Sequence, residues 1–206
     1  MARYLMTHSL LSSWLYTMKG NPFEDATTER DPMAEFLQVL RREPTPTTEA
    51  MMNGNIFEDL VTRVVNGYAD PADPNEQWYG AAEKVACRVR GGVPQLRVSR
   101  TIEVDGMTLV LYGRLDWLKA GEIVDIKFTK NYDPGKYFDS TQHPTYFEIV
   151  PEAQTFTYMV SNGSAVWPET YRREETPSIR PVISDFFAWL TEVGLMDTYK
   201  EKWVAK

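Results

Sequence analysis

The sequence predicts an α/β fold in which helices pack on a mixed central sheet. Three observations carry that reading. Residues 95–129 hold three consecutive runs rich in β-branched, aromatic and aliphatic side chains, separated by the hairpin turns Asp105-Gly106 and Ala120-Gly121. Upstream, apolar residues recur at helical spacing behind capping residues. Downstream, a second hairpin signal precedes further helical segments.

Residues 4–19 read as a first helix and 20–25 as the loop after it. A second helix spans 31–42, with Asp31 as cap and Pro32 at its first position. The Pro44-Thr-Pro-Thr-Thr48 stretch ends it, and Thr48 can cap a third helix that runs to Asn66 before Gly67. Two apolar stripes, Ile56/Leu60/Val64 and Phe57/Val61/Val65, predict that this helix is buried over much of its surface. Glu58 among them is either a metal ligand or an exposed polar position. A fourth helix is expected over 75–90, closed by Gly91-Gly92, followed by strands near 95–104, 107–118 and 122–129. After a polar loop at 130–139 that could border a substrate path, a helix at 140–149 has Ser140 as its N-cap, and a hairpin follows at 154–160 and 165–172. Helices at 184–193 and 196–203 complete one domain over 1–206, with no repeat or linker.

The chemistry concentrates in Gly113-Arg-Leu-Asp116 and Asp125-Ile-Lys127. With Ala120-Gly121 as the turn, Lys119 pairs with Glu122, Leu118 with Ile123, and Asp116 falls opposite Asp125. Lys127 shares the face of Asp125, because side chains alternate along a strand. Opposed carboxylates repel, and charges within an apolar strand need a compensating partner. A divalent cation between them satisfies both conditions, and oxygen-only donors suit Mg²⁺ or Mn²⁺. A solvated polar face at a hairpin end is the bland alternative.

This arrangement resembles the core of the PD-(D/E)xK nuclease superfamily, most nearly its RecB-like exonuclease branch, and more narrowly the stand-alone phage-type members of that branch. Gly54-Asn-Ile-Phe-Glu58 is similar to that branch's Gly-x-x-Phe-His/Glu segment, Gln142-x-x-x-Tyr146 to its Gln-x-x-x-Tyr helix, and 7–16 to its amino-terminal Ser-x-x-Leu helix. A second match, Gln154-x-x-x-Tyr158, falls in a β-rich run and is set aside. The resemblance spans most of 1–160 and implies a restriction-endonuclease-like core. It also implies metal binding by Glu58, Asp116, Asp125 and the Ile126 carbonyl, and a Lys127 that activates or positions the attacking water. Gln142 and Tyr146 would hold Lys127 or a phosphate. The implied activity is Mg²⁺- or Mn²⁺-dependent hydrolysis of DNA from its ends. A structure-specific endonuclease or a non-cleaving nucleic-acid- or protein-binding subunit is the alternative, and a recombination or replication protein is a further partner class.

Composition narrows the rest. A 206-residue chain with 43% hydrophobic content can bury a sizeable core. No apolar run approaches a bilayer span, so no membrane partner and a cytoplasmic location are expected. One cysteine, Cys87, excludes an internal disulfide and a four-cysteine iron–sulfur site. Two histidines, His8 and His143, are too few for a histidine-rich zinc site, and no Walker motif is present. Net charge −7 argues against a generic DNA-coating protein. Lys84, Arg88, Arg90, Arg97 and Arg100 form a basic stretch that reads either as a solvated surface or as a DNA contact.

Overall fold

Two tight turns set the register of the sheet. In the computed structural model, which describes residues 2–19, 31–73 and 76–205, Asp105, Gly106, Ala120 and Gly121 all take positive φ (49°, 74°, 47° and 79°). Positive φ at both central residues is the primed turn geometry whose twist matches the flanking strands. The turns join β2 (Val93–Val104), β3 (Met107–Lys119) and β4 (Glu122–Phe128) into an antiparallel meander. Val104 pairs with Met107, Leu118 with Ile123 and Lys119 with Glu122.

Three more strands, β1 (Arg3–Met6), β5 (Thr155–Ser161) and β6 (Val166–Arg172), complete a mixed six-stranded sheet. Its order is β1-β3-β4-β5-β6, with β2 also on β3. β1 runs parallel to β3 and β5 parallel to β4. One edge of β3 is taken by β2 along nearly its whole length. The other edge is shared: β1 pairs with Thr108 to Leu111, and β4 with Trp117 to Lys119. Among the described residues, no strand lies beside 112–116 on that edge. The sheet therefore forks along β3, and the fork positions the candidate site.

Helices cover both faces: α1 (His8–Lys19), α2 (Pro32–Arg41), α3 (Glu49–Asn66), α4 (Tyr79–Val89), α5 (Gln142–Ile149), α6 (Arg180–Glu192) and α7 (Met196–Lys202). The successive residues Ile123 and Val124 enter different cores, as strand alternation requires. Ile123 joins Leu10, Phe36, Phe156, Phe186 and Tyr199. Val124 and Trp117 pack with Phe57 and Val61 of α3 and Val85 of α4. No helix among the described residues is long and apolar enough to cross a membrane.

Several boundaries differ from the sequence expectation. The chain opens with β1 instead of a helix from residue 4, and Thr7 Oγ1 accepts the Leu10 N–H where α1 begins. Partners distant in sequence impose this: β3 on one side, and on the other Trp203 and Ala205, whose backbones bond to Leu5 and Arg3. In α3 the Thr48 cap and the Gly67 terminator are as expected. Its burial is narrower: Phe57, Leu60, Val61 and Val64 are buried, but Ile56 is 55% exposed. Gly54, which opens the Gly-x-x-Phe-Glu58 segment, lies inside this helix. The fourth helix runs over Tyr79–Val89, shorter than 75–90, and α6 starts at Arg180 with Pro181 in its first turn, earlier than 184. α5 starts at Gln142; the Ser140 hydroxyl accepts the Gln142 N–H from a turn and does not cap the helix. The expected loop at 20–25, Pro74 and the expected helix start at Asn75 lie outside the described residues.

Candidate active site

The acidic pair sits where the β3–β4 ladder ends. The last paired position inward from the turn is Trp117↔Val124. Asp116 and Asp125 would be next, but the ladder stops, which corrects the expectation of a directly opposed pair within it. The Asp116 carboxylate replaces the backbone instead, its Oδ2 accepting the Ile126 N–H at 2.8 Å. Side-chain alternation breaks at the same point, since Leu115 and Trp117 enter different cores although they are two residues apart. Across on β2, Gln95 lies between the pairs Pro94↔Trp117 and Leu96↔Leu115 and takes φ 53°. This local distortion aims Asp116 into the fork.

Asp125 is only 6% exposed. Its Oδ1 accepts a hydrogen bond from Gln142 Nε2 at 2.5 Å. Its Oδ2 lies 2.7 Å from Lys127 Nζ as an ion pair. Glu58 reaches the fork from α3 and accepts a hydrogen bond from Gln95 Nε2. Tyr146, one turn along α5 from Gln142, donates to the Arg114 carbonyl at 3.0 Å and lies against Gly113. A Cβ on residue 113 would meet the tyrosine ring at 2.5 Å, so the glycine is a packing requirement. All of these except Gln95 line an open cleft of about 540 Å³ together with Thr7, His8, Tyr112, Ile126 and Trp203.

The charges press on one another. Burial, then Asp125 and Glu58, push the Asp116 carboxyl well above the usual carboxylate range, against the Ile126 N–H and Lys127. Burial also raises Glu58, although Arg114 and Gln95 oppose it. For Lys127, burial alone would lower the pKa, but Asp125 and Asp116 outweigh it and the net shift is upward. Lys127 is therefore an ammonium at neutral pH. His8, whose ring centroid lies 5.5 Å from that of Tyr146, is lowered to about 4 by burial and by Lys127, and is neutral.

All seven residues singled out in the sequence meet in this cleft: Glu58, Asp116, Asp125, Ile126, Lys127, Gln142 and Tyr146. Two have partners other than those expected. Gln142 holds Asp125 and not Lys127, and Tyr146 holds the β3 backbone. Gln95, His8 and Arg114 were not read as site residues. His8 directly follows the capping Thr7, and Arg114 lies within the Gly-x-x-Asp motif itself. Nothing local marks Gln95, whose role comes from its φ and its place opposite the fork.

The donor set fits a hard divalent cation. Among the described residues, Asp116 Oδ1 and Glu58 Oε2 accept no hydrogen bond. No three His, Cys, Asp or Glu side chains of those residues form a ready-made cluster. One or two carboxylates completed by water and substrate oxygens is the usual manner of Mg²⁺ binding.

No family model and no curated protein matches the chain. Among solved structures, one titled "Crystal structure of SSO0001" is similar at 13% identity and a TM-score of 0.48, over 92% of this chain and 75% of that one. The functional reading therefore rests on the chain's own geometry.

Proposed function

We propose that the protein is a metal-dependent deoxyribonuclease with a PD-(D/E)xK-type site, acting on DNA ends. The supporting observation is the convergence of Asp116, Asp125, Lys127, Glu58 and Gln142 on one open cleft at a fork in the sheet. In-line displacement at a phosphodiester needs positive charge at the attacking and leaving oxygens. Asp116, Asp125, Glu58 and the Ile126 carbonyl would hold Mg²⁺ or Mn²⁺, which when bound supplies charge neutralisation at the phosphate and a more acidic water. Gln142 fixes the rotation of the Asp125 carboxylate. Lys127, in contact with Asp125, would help activate or position the attacking water or balance charge on the phosphate. Tyr146 keeps β3 in place beside the fork through the Arg114 carbonyl.

The test is incubation with end-labelled linear DNA and Mg²⁺ or Mn²⁺. Cleavage is expected from the parent, with a loss of several orders of magnitude in Asp116→Asn, Asp125→Asn and Lys127→Ala. Full cleavage by any two of these variants would remove the assigned site. Absence of cleavage by the parent, with DNA still bound, would favour a non-cleaving subunit.

A further inference from the structure

The β2–β3 hairpin carries a second opposed like-charge pair, of the opposite sign to the acidic one. Arg97 and Arg114 are direct partners in the antiparallel register. Their Cβ atoms are therefore about 5 Å apart on one face, an arrangement that destabilises a sheet unless something lies between the charges. Among the described residues neither side chain has an ion pair or a hydrogen bond, and both are exposed. The basic neighbours are otherwise engaged. Arg88 pairs with Glu122, and Arg100, opposite Leu111 on the other face, donates to the Glu148 carbonyl.

The next pair on the same face is Ser99↔Tyr112, which adds two hydroxyls beside the guanidinium groups. Together they border a depression of about 380 Å³. Tyr112, Gly113 and Arg114 line both this depression and the acidic cleft, so the two are contiguous. Arg114 also acts electrostatically on Glu58.

We infer that Arg97 and Arg114, with Ser99 and Tyr112, form a phosphate subsite that holds the substrate strand at a phosphate beside the one in the acidic cleft. The inference rests on the nuclease reading for its substrate. A phosphate oxygen set between two guanidinium groups relieves their repulsion and accepts from both forks. The fixed cationic subsite and the fixed acidic cleft together place the scissile bond a set step from the anchored phosphate. Either a terminal phosphate monoester or an internal phosphodiester supplies the same chemistry.

The test uses the full chain in EDTA, with fluorescently labelled single-stranded oligonucleotides bearing a 5′-phosphate, a 3′-phosphate or hydroxyls at both ends. Arg97→Gln and Arg114→Gln are each expected to weaken binding roughly tenfold. Each should also reduce the slope of log affinity against log salt by about 0.7. Arg97→Lys and Arg114→Lys keep the slope but lose affinity, because an ammonium lacks the fork. Arg100→Gln, which removes an equal charge from the opposite face, should bind as the parent does. Loss confined to one phosphorylated end identifies a terminal phosphate, and equal loss on all three identifies an internal one. Melting curves of the same variants show that each is folded. Parent-like affinity and slope in both Gln variants overturn the subsite, even if Mg²⁺-dependent cleavage by the parent upholds the nuclease reading. Arginine-dependent binding without any cleavage by the parent removes the nuclease reading and leaves the phosphate site.

Discussion

Asp116 is where folding and chemistry conflict most directly. Its carboxyl is pushed up by burial, Asp125 and Glu58, so the folded protein holds this proton more tightly than the unfolded chain does. A raised carboxyl pKa contributes stability at low pH that is lost as pH rises from the ordinary carboxylate value through the raised one. Asp116→Asn abolishes that loss while leaving an amide oxygen to accept the Ile126 N–H. In EDTA, the melting temperature of the variant relative to the parent should therefore climb as pH goes from 4 to 8. A difference that stays flat or falls would mean that Asp116 is not strained by its neighbours. At this scale the sequence was informative about acids and less so about their partners. Asp125 and Lys127 were legible because alternation along one strand places them together, whereas Asp116 was legible as a residue but not in its pairing, since the ladder stops before it and alternation breaks there. The Arg97–Arg114 opposition follows from the Asp105-Gly106 turn by the same counting, but it was not read. The hydrogen bonds of Gln142 and Gln95 depend on how α5 and α3 dock, which no local pattern states.

Among the elements, α5 links the two halves of the site. Gln142 and Tyr146, one turn apart, reach Asp125 on β4 and the Arg114 carbonyl on β3, the two arms of the fork. Gln142→Ala removes a buried partner of Asp125 and should cut turnover strongly, whereas Gln154→Ala, at an exposed side chain bonded only to the Glu152 carbonyl, should change it little. Equal effects would mean that the helix has no special role. Gly113→Ala tests the same link from below. Its new methyl would meet Tyr146 within 2.5–2.8 Å, so the helix must shift or the ring must leave. Overpacking of this kind costs about 1–3 kcal/mol. In a Tyr146→Ala background the same substitution should cost much less, and a double-mutant cycle in urea measures the coupling; additive effects would contradict the close approach. The α5 boundary was misplaced by two residues because Ser140 offers its hydroxyl to Gln142 from a turn, which in sequence looks like a cap. The short strand β1 was missed for a stronger reason. Its four residues carry no hairpin or period, and their partners are β3 and the chain's last residues.

For the whole molecule, the arrangement of helices on a mixed sheet was legible from turn chemistry and apolar period, whereas the forked sheet was not. A fork requires knowing that β1 and β4 share one edge of β3, and strand order is not written in either segment. The open cleft and the net charge of −7 bear on substrate choice. On the proposed nuclease reading, a net charge of −7 disfavours clamping of intact duplex without regard to sequence. Linear DNA should be degraded progressively to short products, with covalently closed circles largely spared at equal salt. Rapid cutting of supercoiled or single-stranded circles would replace the exonuclease reading with an endonuclease one and leave the acidic cleft assigned as before.

Two segments far apart in sequence meet beside the site: Arg3 bonds to Ala205, Leu5 to Trp203, and the Tyr199 hydroxyl to the Leu5 carbonyl. During synthesis this sets an order of events. β1 is made well before its sheet partner, which begins at Thr108, so it waits about 100 residues, or about 5–20 s at ordinary elongation rates. Trp203 is made after every other residue that lines the cleft. The cleft draws on His8, Glu58, Asp116, Gln142 and Trp203, contacts of large sequence separation whose closure is slow. In refolding from urea, cleavage should therefore return after the bulk of far-ultraviolet circular dichroism. A chain truncated before Trp203 should recover much of its secondary structure but expose β1 as an unpaired edge, visible as concentration-dependent aggregation.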